Sequence, residues 1–81
     1  MKAKEMFELL GWYLDIETNE EQIVYSKNIF DKYTFGFIGA NTITFDKEME
    51  SIFFDGVEDI SMLLLQAINQ QCKELGWIED K

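Results

Sequence analysis

Residues 61–77 read SMLLLQAINQQCKELGW and predict the C-terminal helix around which the rest of the chain is organised. Ser61 suits the N-cap, because its hydroxyl can accept a hydrogen bond from a backbone N–H group of the first turn. Gly76 predicts a Schellman ending, in which Trp77 folds back on the last turn. Gln71 lies within the apolar arc of the helix, and the sequence leaves open whether it is buried and bonded. The apolar members of that arc are Leu64, Leu65, Ala67, Ile68, Cys72 and Leu75.

A second, shorter helix is predicted over residues 3–10. Its inward face consists of Ala3, Met6, Phe7 and Leu10. Leu10-Gly11-Trp12 at its end repeats as Leu75-Gly76-Trp77. An internal duplication would explain this repeat, but the residues between contain no second copy. We therefore expect two helices that share one type of C-terminal stop, each closed by a tryptophan.

From Trp12 onward the hydrophobic period changes to two, which is typical of strands. Trp12, Leu14 and Ile16 alternate with more polar neighbours and predict a half-buried strand. A polar turn is expected at residues 18–21. Residues 22–28 then predict a second strand.

The stretch after residue 28 is rich in aromatic residues. We expect a loop over residues 28–32. Gly39 permits either one long bent strand or two strands around a turn. Residues 46–50 predict the next turn, and residues 51–54 the last strand. The residues that hold one parity through this stretch are Tyr33, Phe35, Phe37, Ile43 and Phe45.

Together these elements predict a single α+β domain over residues 1–81, in the order α-β-β-β(-β)-α. Short connections favour an antiparallel meander of three or four strands, in which sequential strands are adjacent. Each helix has one apolar stripe, so both helices are expected to pack on the same face of the sheet and give two layers. Aromatic residues make up 15% of the chain, and their large buried areas compensate for its short length.

The charge of the chain argues against several classes of function. It has 16 acidic residues, seven lysines, no arginine and no histidine, for a net charge of −9. Direct nucleic-acid binding is not expected, because neutralising phosphates requires a basic patch. An anionic membrane would repel the chain for the same reason. With no transmembrane stretch, no signal-peptide pattern and a single cysteine, the sequence predicts a cytoplasmic protein.

Catalytic and metal-binding signals are nearly absent from the sequence. No catalytic residue is predicted, because Cys72 and the serines have no histidine to act as a base. Cys72 is instead expected to be a buried, inert thiol. No cofactor motif occurs, and one cysteine without histidine makes zinc improbable. Acidic clusters at residues 46–50 and 55–59 leave a hard cation such as Ca²⁺ open, although solvated turns are the simpler interpretation.

Exposed apolar residues are the candidate binding sites. Met62 and Leu63 lie off the apolar arc of the C-terminal helix. Phe53 has the opposite parity to its neighbours, so it is expected on the outer face of the sheet with Val24 or Ile38. A bare sheet face often pairs with another copy, which makes a homodimer one hypothesis. Contact with a host protein is the other.

The two ends of the chain also carry a resemblance. Residues 3–11 read AKEMFELLG, residues 66–77 read QAINQQCKELGW, and Ile43-Thr44-Phe45 lies between them. These segments resemble small uncharacterised proteins encoded in phages and prophages of Gram-positive bacteria. Those proteins open with a helix ending in Leu-Gly, contain strands with "ITF", and close with a helix containing "LQAINKQ" and ending in "LGW". The resemblance implies a mobile element in a bacterial cytoplasm and brings no catalytic residue with it.

Three hypotheses of function follow. The leading one is a non-enzymatic protein–protein interaction module of phage or prophage origin. The second is a nucleic-acid mimic that inhibits a DNA-binding protein, which requires carboxylates at phosphate-like spacing along one face. The third is an enzyme that uses only carboxylate, tyrosine or lysine groups, which requires a pocket holding two carboxylates of different pKa.

Overall fold

The structure is a computed structural model that describes residues 1–79. The last two residues of the predicted domain therefore lie outside the described part. The strands form one antiparallel sheet in the order β1-β2-β3-β4, so the predicted α+β meander is confirmed, with four strands. Its elements are α1 (Ala3–Leu9), β1 (Tyr13–Leu14), β2 (Gln22–Phe30), β3 (Phe37–Asp46), β4 (Ser51–Asp55) and α2 (Met62–Glu74).

Helix α2 begins and ends as the sequence predicts. The Ser61 hydroxyl accepts a hydrogen bond from the Leu64 backbone N–H at 3.1 Å. Gly76 adopts a φ of +77°, which glycine reaches without the steric cost of a Cβ atom. The N–H of Trp77 then donates to the Cys72 carbonyl at 2.9 Å, and the N–H of Gly76 to the Lys73 carbonyl at 3.0 Å. These two bonds define a Schellman motif.

The same motif ends α1, so the predicted shared stop is confirmed. Gly11 has a φ of +89°. Its N–H donates to the Glu8 carbonyl, and the N–H of Trp12 donates to the Phe7 carbonyl, both at 3.0 Å. The indole of Trp12 is buried in the core. Each helix thus stops where a glycine turns the chain back toward the sheet.

The core lies between the two helices and one face of the sheet. Phe7 of α1 stacks on Tyr25 of β2 with a ring-centroid distance of 3.9 Å, and Phe45 of β3 meets both rings edge-on at 6.2 Å. Aromatic pairs of this kind add about 0.5–1.5 kcal/mol beyond the burial of their area. The other buried members are Ala3, Trp12, Ile43, Leu64, Ala67, Ile68 and Cys72.

Gln71 is buried, which settles the question that the sequence left open. Its Oε1 atom accepts a hydrogen bond from the Tyr25 hydroxyl at 2.7 Å. A buried amide needs such a partner, because desolvation without a hydrogen bond is costly. Burial also raises the pKa of Tyr25 to about 12, with smaller contributions from the negative charges of Glu74 and Glu8.

Two predicted inward positions are wrong. Leu65 was expected in the apolar arc of α2, but its side chain is exposed because the buried arc is narrower and includes Gln71 instead. Ile16 is 99% exposed, because β1 ends at Leu14 rather than continuing to residue 16. The Asp15 carboxylate accepts hydrogen bonds from the Ser26 hydroxyl at 2.6 Å and from a backbone N–H two residues on. The bond from Glu17 is local and competes with continuation of the strand, while the bond from Ser26 joins Asp15 to β2.

The region after residue 28 also differs from the expected loop. Strand β2 continues to Phe30, and β3 is one long strand that starts at Phe37. A register shift lies between Ile29 and Phe30 and leaves Ile38 as the extra residue of β3. The loop therefore begins three residues later than expected and falls at residues 31–36.

Part of the β2–β3 hairpin extends beyond the other two strands. Strand β1 pairs only with Tyr25 and Ser26, and β4 pairs only with Thr42–Asp46. Residues 27–41, here called the arm, are therefore paired only with each other, and the remainder is called the body. The arm makes the molecule elongated, with extents of 45 × 25 × 20 Å.

Candidate functional site

The face of the sheet opposite the helices is uncovered by any helix. Successive residues of a strand point to opposite faces, so the partners of buried Tyr25 and Phe45 line the inner face and the alternate residues line the other. On that other face Val24, Thr44 and Phe53 form one row, and Tyr13, Ser26 and Thr42 form the next. We call this surface the outer face. Its described members are Tyr13, Val24, Ser26, Asn28, Phe30, Phe37, Ala40, Thr42, Thr44 and Phe53.

The outer face carries little charge where it is widest. Between Val24 and Phe30 on β2, and between Phe37 and Thr44 on β3, no charged side chain points to it. Asp46 and Asp55 lie at the perimeter of this side of the sheet. The Asp15 carboxylate, next to β1, accepts from the Ser26 hydroxyl, and Ser26 is buried with 1% of its surface exposed. A charge-poor centre with a polar rim is the usual anatomy of a protein interface.

Aromatic side chains stand at both ends of the outer face. Phe53 is 49% exposed at the body end, whereas Phe30 and Phe37 are 54% and 63% exposed on the arm. The two arm rings contact each other edge to face, with centroids 6.1 Å apart. Between these ends the Tyr13 hydroxyl donates to the Asn28 side-chain oxygen at 2.9 Å, which fixes the tyrosine across the face.

The arm tip adds further exposed rings. Tyr33 and Phe35 are both about four-fifths exposed at 81% and 79%. The tip is ordered by Asp31, whose carboxylate accepts hydrogen bonds from the backbone N–H groups of Tyr33 at 2.8 Å and Thr34 at 2.9 Å. The bond from Thr34, followed by that from Tyr33, lowers the pKa of Asp31. The Lys32 ammonium lies 5.4 Å from the Tyr33 ring centroid.

The predicted contact residues do not come together on one surface. Phe53 lies on the outer face as expected, in the same row as Val24, although Val24 is buried between its neighbours. Met62 and Leu63 are exposed in the first turn of α2, which belongs to the helix layer on the opposite side. Ile38 is exposed at the register shift of the arm.

Sequence reasoning missed the arm residues Phe30 and Phe37 as members of the same surface as Phe53. One signal could have found them. Residues 30–37 contain four aromatic rings in eight positions, while the described part of the chain, residues 1–79, has two short helices with which to cover a sheet. Rings in excess of what those helices can bury must face water or a partner.

A cleft lies on the inner side, where the arm leaves the helix layer. Its volume is about 490 Å³, and apolar side chains such as Trp12, Val57 and Leu64 line it together with Lys27 and Asp59. The Lys27 ammonium donates to the Leu10 carbonyl at 3.1 Å, where a cation also favours the C-terminus of α1. The Lys27 ammonium in this cleft is therefore engaged in a structural hydrogen bond.

The other titratable groups with shifted pKa values have structural causes. Burial raises the pKa of the Cys72 thiol, which makes it less reactive. The Ser26 hydroxyl, followed by the Glu17 backbone N–H, lowers the pKa of Asp15. Asp46, in the first acidic cluster, uses its carboxylate to accept from two backbone N–H groups of its own turn. Within residues 1–79, no three acidic or cysteine side chains are grouped so that they could hold a metal ion.

None of the described helices is long and apolar enough to cross a membrane. No family model, curated protein or solved structure matches this chain. The function proposed below therefore rests on the geometry of the protein's own surfaces.

Proposed function

We propose that this protein is a non-enzymatic protein-binding module that works through its outer face and arm. The observation that carries the proposal is a charge-poor sheet face that runs into an aromatic arm, in a chain whose net charge is −9. The contiguous apolar part of this surface is the arm, where the rings of Phe30 and Phe37 contact each other, and contiguous exposed apolar surface marks interaction sites in soluble proteins.

The arm itself supports contact as its role. A two-stranded hairpin without further strands or a covering helix is only marginally stable in water. Here Phe30 and Phe37 bury part of each other, and Asp31 orders the tip, but each ring still leaves more than half of its surface in water. Covering such rings would contribute about 25 cal/mol for each Å² of apolar area removed from water. A partner protein would supply that cover.

The distribution of polar groups supports binding rather than catalysis. The groups with shifted pKa values, which are Asp15, Asp31, Tyr25 and Cys72, are engaged in turns or in the core. An acid–base catalyst would need two such groups aimed into one pocket. The proposed origin in a phage or prophage, and with it a bacterial cytoplasm, rests on the resemblance of the chain ends described above.

Site-specific photocrosslinking tests the proposal. A photoreactive phenylalanine analogue replaces Phe37 on the outer face in one variant and Asn69, on the exposed side of α2, in a control. In cells of the source organism, we expect one dominant crosslinked species from position 37 and little or none from position 69. Equal crosslinking from both positions, or none from position 37, would overturn the assignment of the binding surface.

A further inference from the structure

We infer that the partner adds an extended strand to the edge of β2 in the arm, beside residues 28–30, where β1 no longer runs. This inference rests on the proposed function, because it names how a partner of the arm is held. Such an edge is recognised by main-chain hydrogen bonds, so the occupant is a polypeptide segment in the extended conformation. The direction of the backbone groups, the regularity of the edge and the side chains beside it support the inference.

The backbone groups of alternate β2 residues face opposite sides of the strand. The Val24 N–H donates to the Thr18 hydroxyl at 2.9 Å, and the Val24 carbonyl accepts from the Asp15 N–H at 2.7 Å, so both groups face the β1 side. In an antiparallel strand, residues two apart face the same neighbour. Asn28 and Phe30 have the parity of Val24, so their N–H and C=O groups also face the β1 side.

No strand of the body lies beside Asn28 and Phe30. The pairing of β1 with β2 stops at Ser26. The N–H of Asp31 donates to the Gly36 carbonyl at 2.8 Å across the hairpin, so the groups of the preceding residue, Phe30, face outward. Within residues 1–79, the N–H and C=O groups of Asn28 and Phe30 therefore have no backbone partner. Unpaired edge groups of this kind are a template for another strand.

The two edges of the arm differ in regularity. On β2 the outward-facing residues, Asn28 and Phe30, lie two apart, which is the repeat at which an antiparallel strand makes its pairs of hydrogen bonds. On β3 the extra residue Ile38 interrupts the alternation. Such a bulge bends the strand and protects its edge from pairing. The β2 edge is therefore the one that accepts a partner strand.

The side chains beside this edge define the segment that fits. Phe30 lies on the outer face and is 54% exposed, whereas Ile29 lies on the inner side and is 37% exposed. Adjacent strands bring side chains of the same face to within about 4.5–5.5 Å, so an apolar residue of the partner covers each of them. The partner segment therefore has apolar side chains on both of its faces near the arm tip. A third strand also stabilises the hairpin, which is marginal with two.

Removal of a single edge N–H tests the inference. The full-length chain is synthesised with a photoreactive phenylalanine analogue at position 37, and phenyllactic acid replaces Phe30, which keeps the ring and removes the N–H. The matched control has the same replacement at Phe54, whose N–H faces away from β3 by the same alternation. At sub-saturating concentration in a lysate of the source organism, the replacement at Phe30 should lower the yield of the dominant crosslinked species about threefold to tenfold, the effect of one hydrogen bond on affinity. The replacement at Phe54 should leave the yield unchanged.

The outcomes separate this inference from the proposed function. Equal yields from the two replacements would overturn strand addition at β2 and leave the binding function intact. No crosslinked species from the chain with all of its amides would overturn the binding function, and strand addition with it. Circular dichroism of each chain checks that it folds.

Amide hydrogen exchange gives a second measurement that needs no replacement at the edge. In the free chain the Phe30 amide should exchange faster than the Ile29 amide, which faces β3. In the purified crosslinked complex, exchange of the Phe30 amide should slow at least about tenfold, because a paired amide exchanges only when its hydrogen bond opens. Exchange at Phe30 that is equally fast in the free chain and the complex would overturn strand addition.

Discussion

The aromatic cluster of the body and that of the arm have similar residues and opposite surroundings. Phe7, Tyr25 and Phe45 are fully buried beneath two helices. Phe30 lies on β2 with Tyr25, and Phe37 lies on β3 with Phe45. Neither described helix covers these two arm rings, and each is more than half exposed. The difference teaches that the helices of this protein are long enough to cover only half of its central hairpin. The uncovered half keeps its backbone hydrogen bonds between β2 and β3, but its side chains have no helix to pack against.

The largest contrast is expected when one ring is removed from each cluster. Phe7→Ala removes the stack on Tyr25 and leaves a cavity, so it should lower the free energy of unfolding by about 3–5 kcal/mol. Phe35→Ala, at the arm tip, should change it by no more than about 0.5 kcal/mol, because the ring is exposed. Urea denaturation followed by circular dichroism measures both. Equal losses would show that the tip packs against the body.

A smaller effect is expected from the polar bond within the body. Tyr25→Phe leaves the Gln71 side chain buried without its partner and should cost about 1–3 kcal/mol. Replacing both residues, as Tyr25→Phe with Gln71→Met, should restore part of that loss, because neither group is then unsatisfied. Tyr13→Phe, which removes an exposed bond on the outer face, is the matched control. Additive losses in the double variant would contradict the coupling.

A smaller effect again is expected when either of the glycines that end the two helices is replaced. Gly11→Ala and Gly76→Ala each force a non-glycine residue to a positive φ and should cost about 1–2 kcal/mol. Gly11→Ala should cost more, because an added Cβ would lie 3.3 Å from the Lys27 side chain at the base of the arm, whereas nothing lies within 4 Å at Gly76. Thermal unfolding of the two variants measures the difference. A larger loss at Gly76 would show that the lysine moves aside freely.

The smallest global effect is expected at the arm tip. Asp31→Ala removes the acceptor for the Tyr33 and Thr34 backbone N–H groups, so these amides should exchange with deuterium faster. The free energy of global unfolding should change by less than about 0.5 kcal/mol, because the tip is exposed. Asp15→Ala in the body, which loses its bond from Ser26, should cost about 1 kcal/mol. Tip exchange that is unchanged in Asp31→Ala would mean that other contacts order the arm.

The sequence predicted what local chemistry determines. The cap at Ser61 and the glycine–tryptophan stops depend on residues within one or two turns, and all were correct. The end of β1 was not predictable in this way, because the acceptor Asp15 meets Ser26 only after two strands have paired. The arm was also missed for a non-local reason, since the exposure of Phe30 and Phe37 depends on where α1 and α2 stop covering the sheet. Phe53 was placed correctly because parity within one strand is local.

The meander has a consequence for the order of folding. Strands β2, β3 and β4 pair with their neighbours in sequence, so their hairpins close short loops. Docking α1 on α2 instead joins residues 71 apart, as in the 2.7 Å hydrogen bond from the Ala3 backbone N–H to the Glu74 carboxylate. Closing so long a loop costs more chain entropy, and we expect it after the transition state for folding. Ala3→Gly should therefore speed unfolding and leave the refolding rate nearly unchanged in stopped-flow measurements.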